Sequence, residues 1–189
     1  MGHLLHKCLG TRALAIYLTK MRKSKSAGQV LAVERSGVPF KQSGILGLVL
    51  LCLILAETGC RSASKHREDA DEVAAEIIAE AGFGDRVTII RDDATEILPE
   101  LSDSGPFCAV FLDADKGRYD LYGRWATENL RPGGLPIADN AYLFGRLLDD
   151  SDEAHAMRRF HEEMASSYRS VCLPTPDGLA VGVRLDPKA

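Results

Sequence analysis

The sequence predicts an α/β fold built on a mostly parallel sheet, and three observations carry that reading. Two apolar runs each end in an acidic cluster. Phe107-Cys108-Ala109-Val110-Phe111-Leu112 leads into Asp113-Ala114-Asp115-Lys116, and Leu135-Pro136-Ile137-Ala138 leads into Asp139-Asn140. Between them, residues 119–130 are helix-like and close on the turn signal Arg131-Pro132-Gly133-Gly134. Strand, helix and strand with short links form a βαβ unit whose strands run parallel. Finally, residues 170–173 and 179–184 flank Pro174-Thr175-Pro176-Asp177-Gly178 and read as an antiparallel hairpin that finishes the sheet.

At 189 residues the chain has room for one domain with its own core, so 1–189 is read as a single domain. A nucleotide-type α/β domain opens with a strand, a glycine-rich turn and a helix, which lets backbone N–H groups approach a cofactor. The nearest candidate is Cys8-Leu9-Gly10-Thr11, followed by the helix-like Ala13-Leu14-Ala15-Ile16-Tyr17-Leu18. Little sequence precedes it, so the fold is expected to be N-terminally incomplete. Gly28-Gln29-Val30-Leu31-Ala32-Val33-Glu34 is an apolar strand ending in an acid, roughly twenty residues past the glycine turn, where ribose hydroxyls are bound. A carboxylate accepts two hydrogen bonds from such a diol. A strand ending in a solvated Glu is the equal alternative.

Residues 37–62 break the pattern. Joining Ser36 to Ala63 gives a continuous passage from strand to helix, whereas the stretch between carries the apolar run 45–56. That run falls short of the ~20 residues that cross a bilayer, so no membrane span is expected. The stretch is read as an atypical apolar insertion foreign to the fold, such as translated intron sequence, forming a poorly integrated helix outside the sheet.

From there the pattern is regular. Residues 66–81 form an amphipathic helix with Ala70, Val73, Ala74, Ile77 and Ile78 on one face, and Gly82 is placed to cap it. Arg86-Val87-Thr88-Ile89-Ile90 is a β-branched strand leading through Arg91-Asp92-Asp93-Ala94 into a short helix that ends near Leu101. Residues 152–166 form a longer charged helix, on which His155 and His161 are expected to face solvent.

Bulk properties narrow the partners. A net charge of −4 and a pI near 5.7 leave no basic footprint for nucleic acid. The five cysteines are scattered and odd in number, which suits reduced thiols in the cytoplasm.

Parallel neighbours end at one edge of a sheet, and open α/β sheets bind ligands outside that carboxyl edge. Asp113, Asp139 and Asn140 therefore bring three oxygen-bearing side chains to one place, a set that suits a hard divalent cation such as Mg²⁺. Asp and Asn also end strands for purely local reasons, and either cluster alone is more often structural.

The combination Leu112-Asp113-Ala114-Asp115-Lys116, Arg131-Pro132-Gly133-Gly134 and Ala138-Asp139-Asn140 resembles the cation-dependent O-methyltransferases of the caffeoyl-CoA and catechol type, over residues 64–184. The resemblance implies a Rossmann-like, S-adenosylmethionine-dependent methyltransferase sheet with a C-terminal antiparallel hairpin. It implies methyl transfer from S-adenosylmethionine to a hydroxyl of a small aromatic, catechol-like acceptor, assisted by a divalent cation. Lys116 matches the family's proposed base, and Asp113, Asp139 and Asn140 match its metal ligands. Gly10, Thr11, Glu34, Asp93, Ala94, Asp113 and Asp115 match its cofactor-binding positions. A homodimer is one arrangement left open.

Two rivals stand beside this reading. A nicotinamide-dependent oxidoreductase lacks its G-x-G-x-x-G motif and leaves the acid–amide pair without a task. An inactive remnant of the fold, serving as a binding or dimer partner, is favoured by the shortened glycine turn, the insertion, and Pro136 inside a central strand.

Overall fold

A computed structural model describes residues 13–17, 28–33, 75, 76, 78–80, 82, 84 and 87–186. The insertion at 37–62 lies outside the described residues. Residues 75, 76 and 78–80 are helical, and Gly82 follows in the left-handed region with its N–H bonded to Ala79 O at 2.9 Å, as the capping position requires.

The sheet is organised around β4 (Phe107–Asp113), in which every residue but Asp113 is buried. Burial on both faces explains why this strand is continuously apolar rather than alternating. On one side β4 pairs in parallel with β5 (Leu130–Ala138), and on the other with β1 (Ala13–Tyr17). Residues 13–17 had the look of a helix; five residues are too few to nucleate one alone, and sheet pairing decides the conformation instead. The strand β2 (Gly28–Val33) runs antiparallel to β1 and to β3 (Val87–Asp92). At the far end β7 (Leu179–Arg184) pairs antiparallel with β5 and with β6 (Tyr168–Leu173). The sheet among the described residues is thus mixed, in the order β3-β2-β1-β4-β5-β7-β6, and parallel at its centre.

β5 starts earlier than the sequence suggests and absorbs the Arg131-Pro132-Gly133-Gly134 turn signal. Its register with β4 shifts between the Phe107–Leu130 and Ala109–Leu135 pairs, so an irregularity takes up the extra residues. Pro136 is tolerated because the β5–β7 ladder runs only through Ile137 and Ala138. On its other side Pro136 pairs with Val110 of β4.

Three further helices are described: α1 (Ala94–Leu101), α2 (Tyr119–Asn129) and α3 (Asp152–Ser167). Ser151 caps α3 by accepting the Ala154 N–H, and Asp152 and Glu153 in its first turn favour the dipole. Its apolar stripe of Ala154, Met157, Phe160 and Met164 is buried at helical spacing, in one core with Val110, Leu112, Tyr119 and Tyr122. Among the described residues no helix is long and apolar enough to cross a membrane.

The α2–α3 contact depends on a missing side chain. A Cβ built on Gly123 would lie 2.8 Å from Cδ2 of the fully buried Phe160. Gly123→Ala is therefore expected to cost about 1–3 kcal/mol through overpacking, despite alanine's better helix propensity. Urea unfolding checks this, and a variant at least as stable as the parent would show that the ring moves freely.

Candidate active site

Asp113 and Asp139 are brought to the same edge by the parallel pairing of β4 and β5, with Leu112 beside Ala138 in the register. The chain leaving β5 is fastened to β4 by the Asp139 N–H, which donates to Leu112 O at 2.9 Å. Lys116 lies in a 3₁₀ turn (Lys116–Arg118) after β4 and is 6% exposed, the one buried charged residue among those described. Its Nζ donates to Asp113 Oδ1 at 3.1 Å, to the Tyr119 hydroxyl, and to Asp139 O at 3.3 Å. A buried ammonium needs such partners, because desolvation without them is costly.

Tyr119 is fully buried at the start of α2, and its hydroxyl lies 2.8 Å from Asp139 O and 3.2 Å from Leu112 O. Burial, with the nearby Asp113 charge, pushes this phenol well above its ordinary value, so it stays protonated and serves as a donor. The ring also lies under Lys116 Nζ at 4.4 Å from its centroid. Tyr119 was not singled out in the sequence. Its position three residues beyond Lys116, on the adjoining helical turn, was the available signal.

Asp139 is half-buried. Burial pushes its carboxyl above the ordinary range; the Asn140 N–H, donating to Oδ1 at 2.8 Å, works against this, and the like charge of Asp113 adds to it. Asn140 adopts φ 53°, a left-handed conformation that asparagine enters more readily than most residues. Among the described residues no group of three or more His, Cys, Asp or Glu side chains is disposed to hold a metal ion. A cation here would instead take two carboxylates and the Asn140 amide oxygen. The donor set fits a hard cation: every donor is oxygen, and a single ammonium, Lys116, bonds between the two acidic residues.

The cofactor candidates divide. Asp93 caps α1 by accepting the Thr95 N–H at 2.9 Å and pairs with Arg118 Nη1 at 2.8 Å. Burial alone would raise its carboxyl, but the Thr95 and Arg118 hydrogen bonds outweigh it and hold Asp93 below the usual range. Asp115 is exposed, accepts the Gly117 N–H, and faces Arg118 Nε at 3.8 Å. Arg118, unremarked in the sequence, thus bridges Asp93 and Asp115, and Ala94 is buried.

Gly10, Thr11 and Glu34 lie outside the described residues, whereas the strands at 13–17 and 28–33 are described. Glu34 was expected to end a strand beside the one that ends at Asp113. Instead β1 lies beside β4, and β2 runs antiparallel to β1, so Val33 pairs with Ala13 while Tyr17 is the residue that pairs with Asp113. Ala13, just past Thr11, pairs with Ala109, well before the acidic end of β4. The strand ends next to Gly10-Thr11 and to Glu34 therefore lie at the edge opposite the acidic cluster. The cause is the direction of β2, which no periodicity encodes.

The two histidines also divide. His155 is exposed, bonded to Asp150 and Arg158. His161, expected in solvent, is half-buried, and its Nε2 lies 2.7 Å from Ala141 O. Because a carbonyl only accepts, Nε2 carries the hydrogen. Met157, Phe160, His161 and Met164 share one helical flank, a spacing that was legible beforehand.

Residues 16–185 match a family model described as O-methyltransferase. The chain is 35% identical over 123 residues to a catechol O-methyltransferase of Niastella koreensis, covering 59% of this chain and 56% of the relative. It is 40% identical over 86 residues to a catechol O-methyltransferase of Mycobacterium tuberculosis, covering 46% of this chain and 39% of the relative. The chain thus spans 56% and 39% of the lengths of these two curated relatives. Among solved structures, an O-methyltransferase from Bacillus cereus in complex with SAH superposes with a TM-score of 0.57 at 28% identity, covering 64% of this chain and 60% of the other.

Proposed function

Given that the chain belongs to the O-methyltransferase family, we propose that it transfers a methyl group from S-adenosylmethionine to a hydroxyl of a small aromatic, catechol-like acceptor with the help of a divalent cation. The observation that carries this is a buried lysine bonded to both acidic residues at the carboxyl edge of two parallel strands. S-adenosylmethionine, when bound, supplies an electrophilic methyl group on sulfonium. A cation such as Mg²⁺, held by Asp113, Asp139 and Asn140, would favour the phenolate form of the acceptor.

The chain's own residues then do the following work. Lys116 Nζ, once it has released one proton to solvent, takes the acceptor hydroxyl's proton, and the ammonium so restored is held by Asp113 Oδ1, the Tyr119 hydroxyl and Asp139 O. Tyr119 ties Asp139 O toward Leu112, so both strand ends keep one spacing throughout. Arg118 orients Asp93 and Asp115 toward the cofactor side. Burial of Lys116 limits water at the reacting oxygen.

The antiparallel course of β2 favours a second reading, a methyltransferase fold that has lost its cofactor site and acts as a binding or dimer partner. Isothermal titration calorimetry with S-adenosylmethionine, followed by labelled methyl transfer to catechol with Mg²⁺ or EDTA, decides between them. Binding plus Mg²⁺-dependent transfer is the expected result. Absence of binding would remove the enzymatic reading and leave the remnant.

A further inference from the structure

We infer that His161 is a positioning residue that holds Asn140 in its left-handed conformation by pinning the carbonyl of Ala141. The inference rests on the cation reading above for its consequence, though not for its geometry. Asparagine enters φ 53° more readily than most residues, and its surroundings decide whether it stays there. On the N-terminal side of Asn140, the Asp139 N–H is tied to Leu112 O, and the Asp139 carbonyl is held by Tyr119 and Lys116. On the C-terminal side stands Ala141, which is fully buried. Its N–H donates to Gly178 O at 2.9 Å, and its carbonyl accepts from His161 Nε2 at 2.7 Å.

Backbone groups of the hairpin turn hold the Ala141 N–H, whereas the Ala141 carbonyl bond comes from a side chain. A buried carbonyl left without its donor is destabilising enough to drive a peptide to reorient. With His161 gone, the peptide after Ala141 keeps its Tyr142 N–H bond to Asp177 O, and the Asn140 carbonyl keeps its bond from the Leu143 N–H, but the buried Ala141 carbonyl loses its side-chain donor. The turn so loosened lets Asn140 sample negative φ and reorient its amide. Consecutive residues of α3 thereby brace both sides of the acid–amide pair. Phe160 packs edge-on against Tyr119 at 5.4 Å between centroids, and the His161 ring, 5.8 Å from Phe160, reaches Ala141.

The test uses the full chain with His161→Ala, His161→Leu and His161→Gln, the last presenting an amide N–H near the place of Nε2. Two readouts are taken: Mn²⁺ affinity by calorimetry, and the ¹⁵N amide resonances of Asn140 and Ala141 without metal. The expected result is Mn²⁺ binding weakened by about 10–100-fold in His161→Ala and His161→Leu. Their Asn140 and Ala141 resonances are shifted or broadened, and His161→Gln recovers most of both effects. Should His161→Ala fail to fold, the Leu and Gln pair carries the comparison. Parent-like Mn²⁺ affinity with undisturbed Asn140 and Ala141 amides in the Leu variant would overturn the inference. A parent that binds no Mn²⁺ would overturn the cation reading alone, and the amide resonances would then decide the positioning role.

Discussion

Lys116→Met is expected to lower kcat for methyl transfer by roughly 10²–10⁴-fold, the range over which a positioned acid or base contributes. Methionine matches the length of the lysine stem and suits a site that is 6% exposed, so the loss is chemical rather than a collapse of the fold. The same change removes the positive charge between Asp113 and Asp139 and takes the ammonium from the Tyr119 hydroxyl, which keeps its bonds to the Asp139 and Leu112 carbonyls. Lys116→Arg is not expected to restore activity: a planar guanidinium cannot share three protons among Asp113, Tyr119 and Asp139 as an ammonium does, nor give one up at neutral pH. Steady-state rates at saturating S-adenosylmethionine, with circular dichroism as the check on folding, settle it. A rate within a few-fold of the parent would make Lys116 a structural pin between the strands and move the base elsewhere.

Asp139→Asn is expected to separate stability from activity in opposite directions. In the unfolded chain this carboxyl ionises near ~3.9. In the folded chain burial and the Asp113 charge raise it, so between the two values the folded state binds the extra proton and stability falls as pH rises. Above that interval the ionised side chain imposes a fixed penalty. Asparagine keeps an oxygen for the Asn140 N–H and carries no charge. The melting temperature of Asp139→Asn should therefore exceed the parent's at pH 7 and converge with it near pH 3. Activity should drop by about 10²–10³-fold through loss of several kcal/mol of charge stabilisation at the reacting oxygen. Differential scanning calorimetry across pH, paired with rate assays, gives both numbers. A variant less stable than the parent at pH 7 would mean that the carboxylate is favourably paired rather than strained.

The parts of this chain that were legible beforehand are those whose signals are local. The fully apolar β4, the α2 helix and the hairpin of β6 and β7 each follow from runs, caps and turn residues within a few positions. That Asp113 and Asp139 end neighbouring strands at one edge was legible because a βαβ unit fixes which ends meet. What escaped was set by pairing at a distance. Whether residues 13–17 are helix or strand depends on β4 being there to receive them, and the direction of β2 depends on its neighbours rather than on its own residues. Tyr119, Arg118 and His161 escaped for another reason: each acts through a backbone carbonyl or a capping carboxylate, and such partners carry no side-chain pattern. Charge composition misdirected the reading of His161, since the helix around it is polar while its own flank is not.

The turn joining β6 to β7 reaches back to the strand end at Asp139. Asp177 O and Gly178 O receive the N–H groups of Tyr142 and Ala141, and the Tyr142 ring lies flat where a Cβ on Gly178 would be, within 2.6–2.8 Å. β7 itself enters the sheet between β5 and β6 rather than at its margin. During synthesis, at ~5–20 residues per second, the acidic residues are therefore made well before the segment that locks them. A nascent chain can form the βαβ unit early, but the acid–amide pair stays unlatched until residue 178 has cleared the ribosome. Ribosome-stalled chains of increasing length should gain protease resistance around residue 113 before they gain it around residue 140.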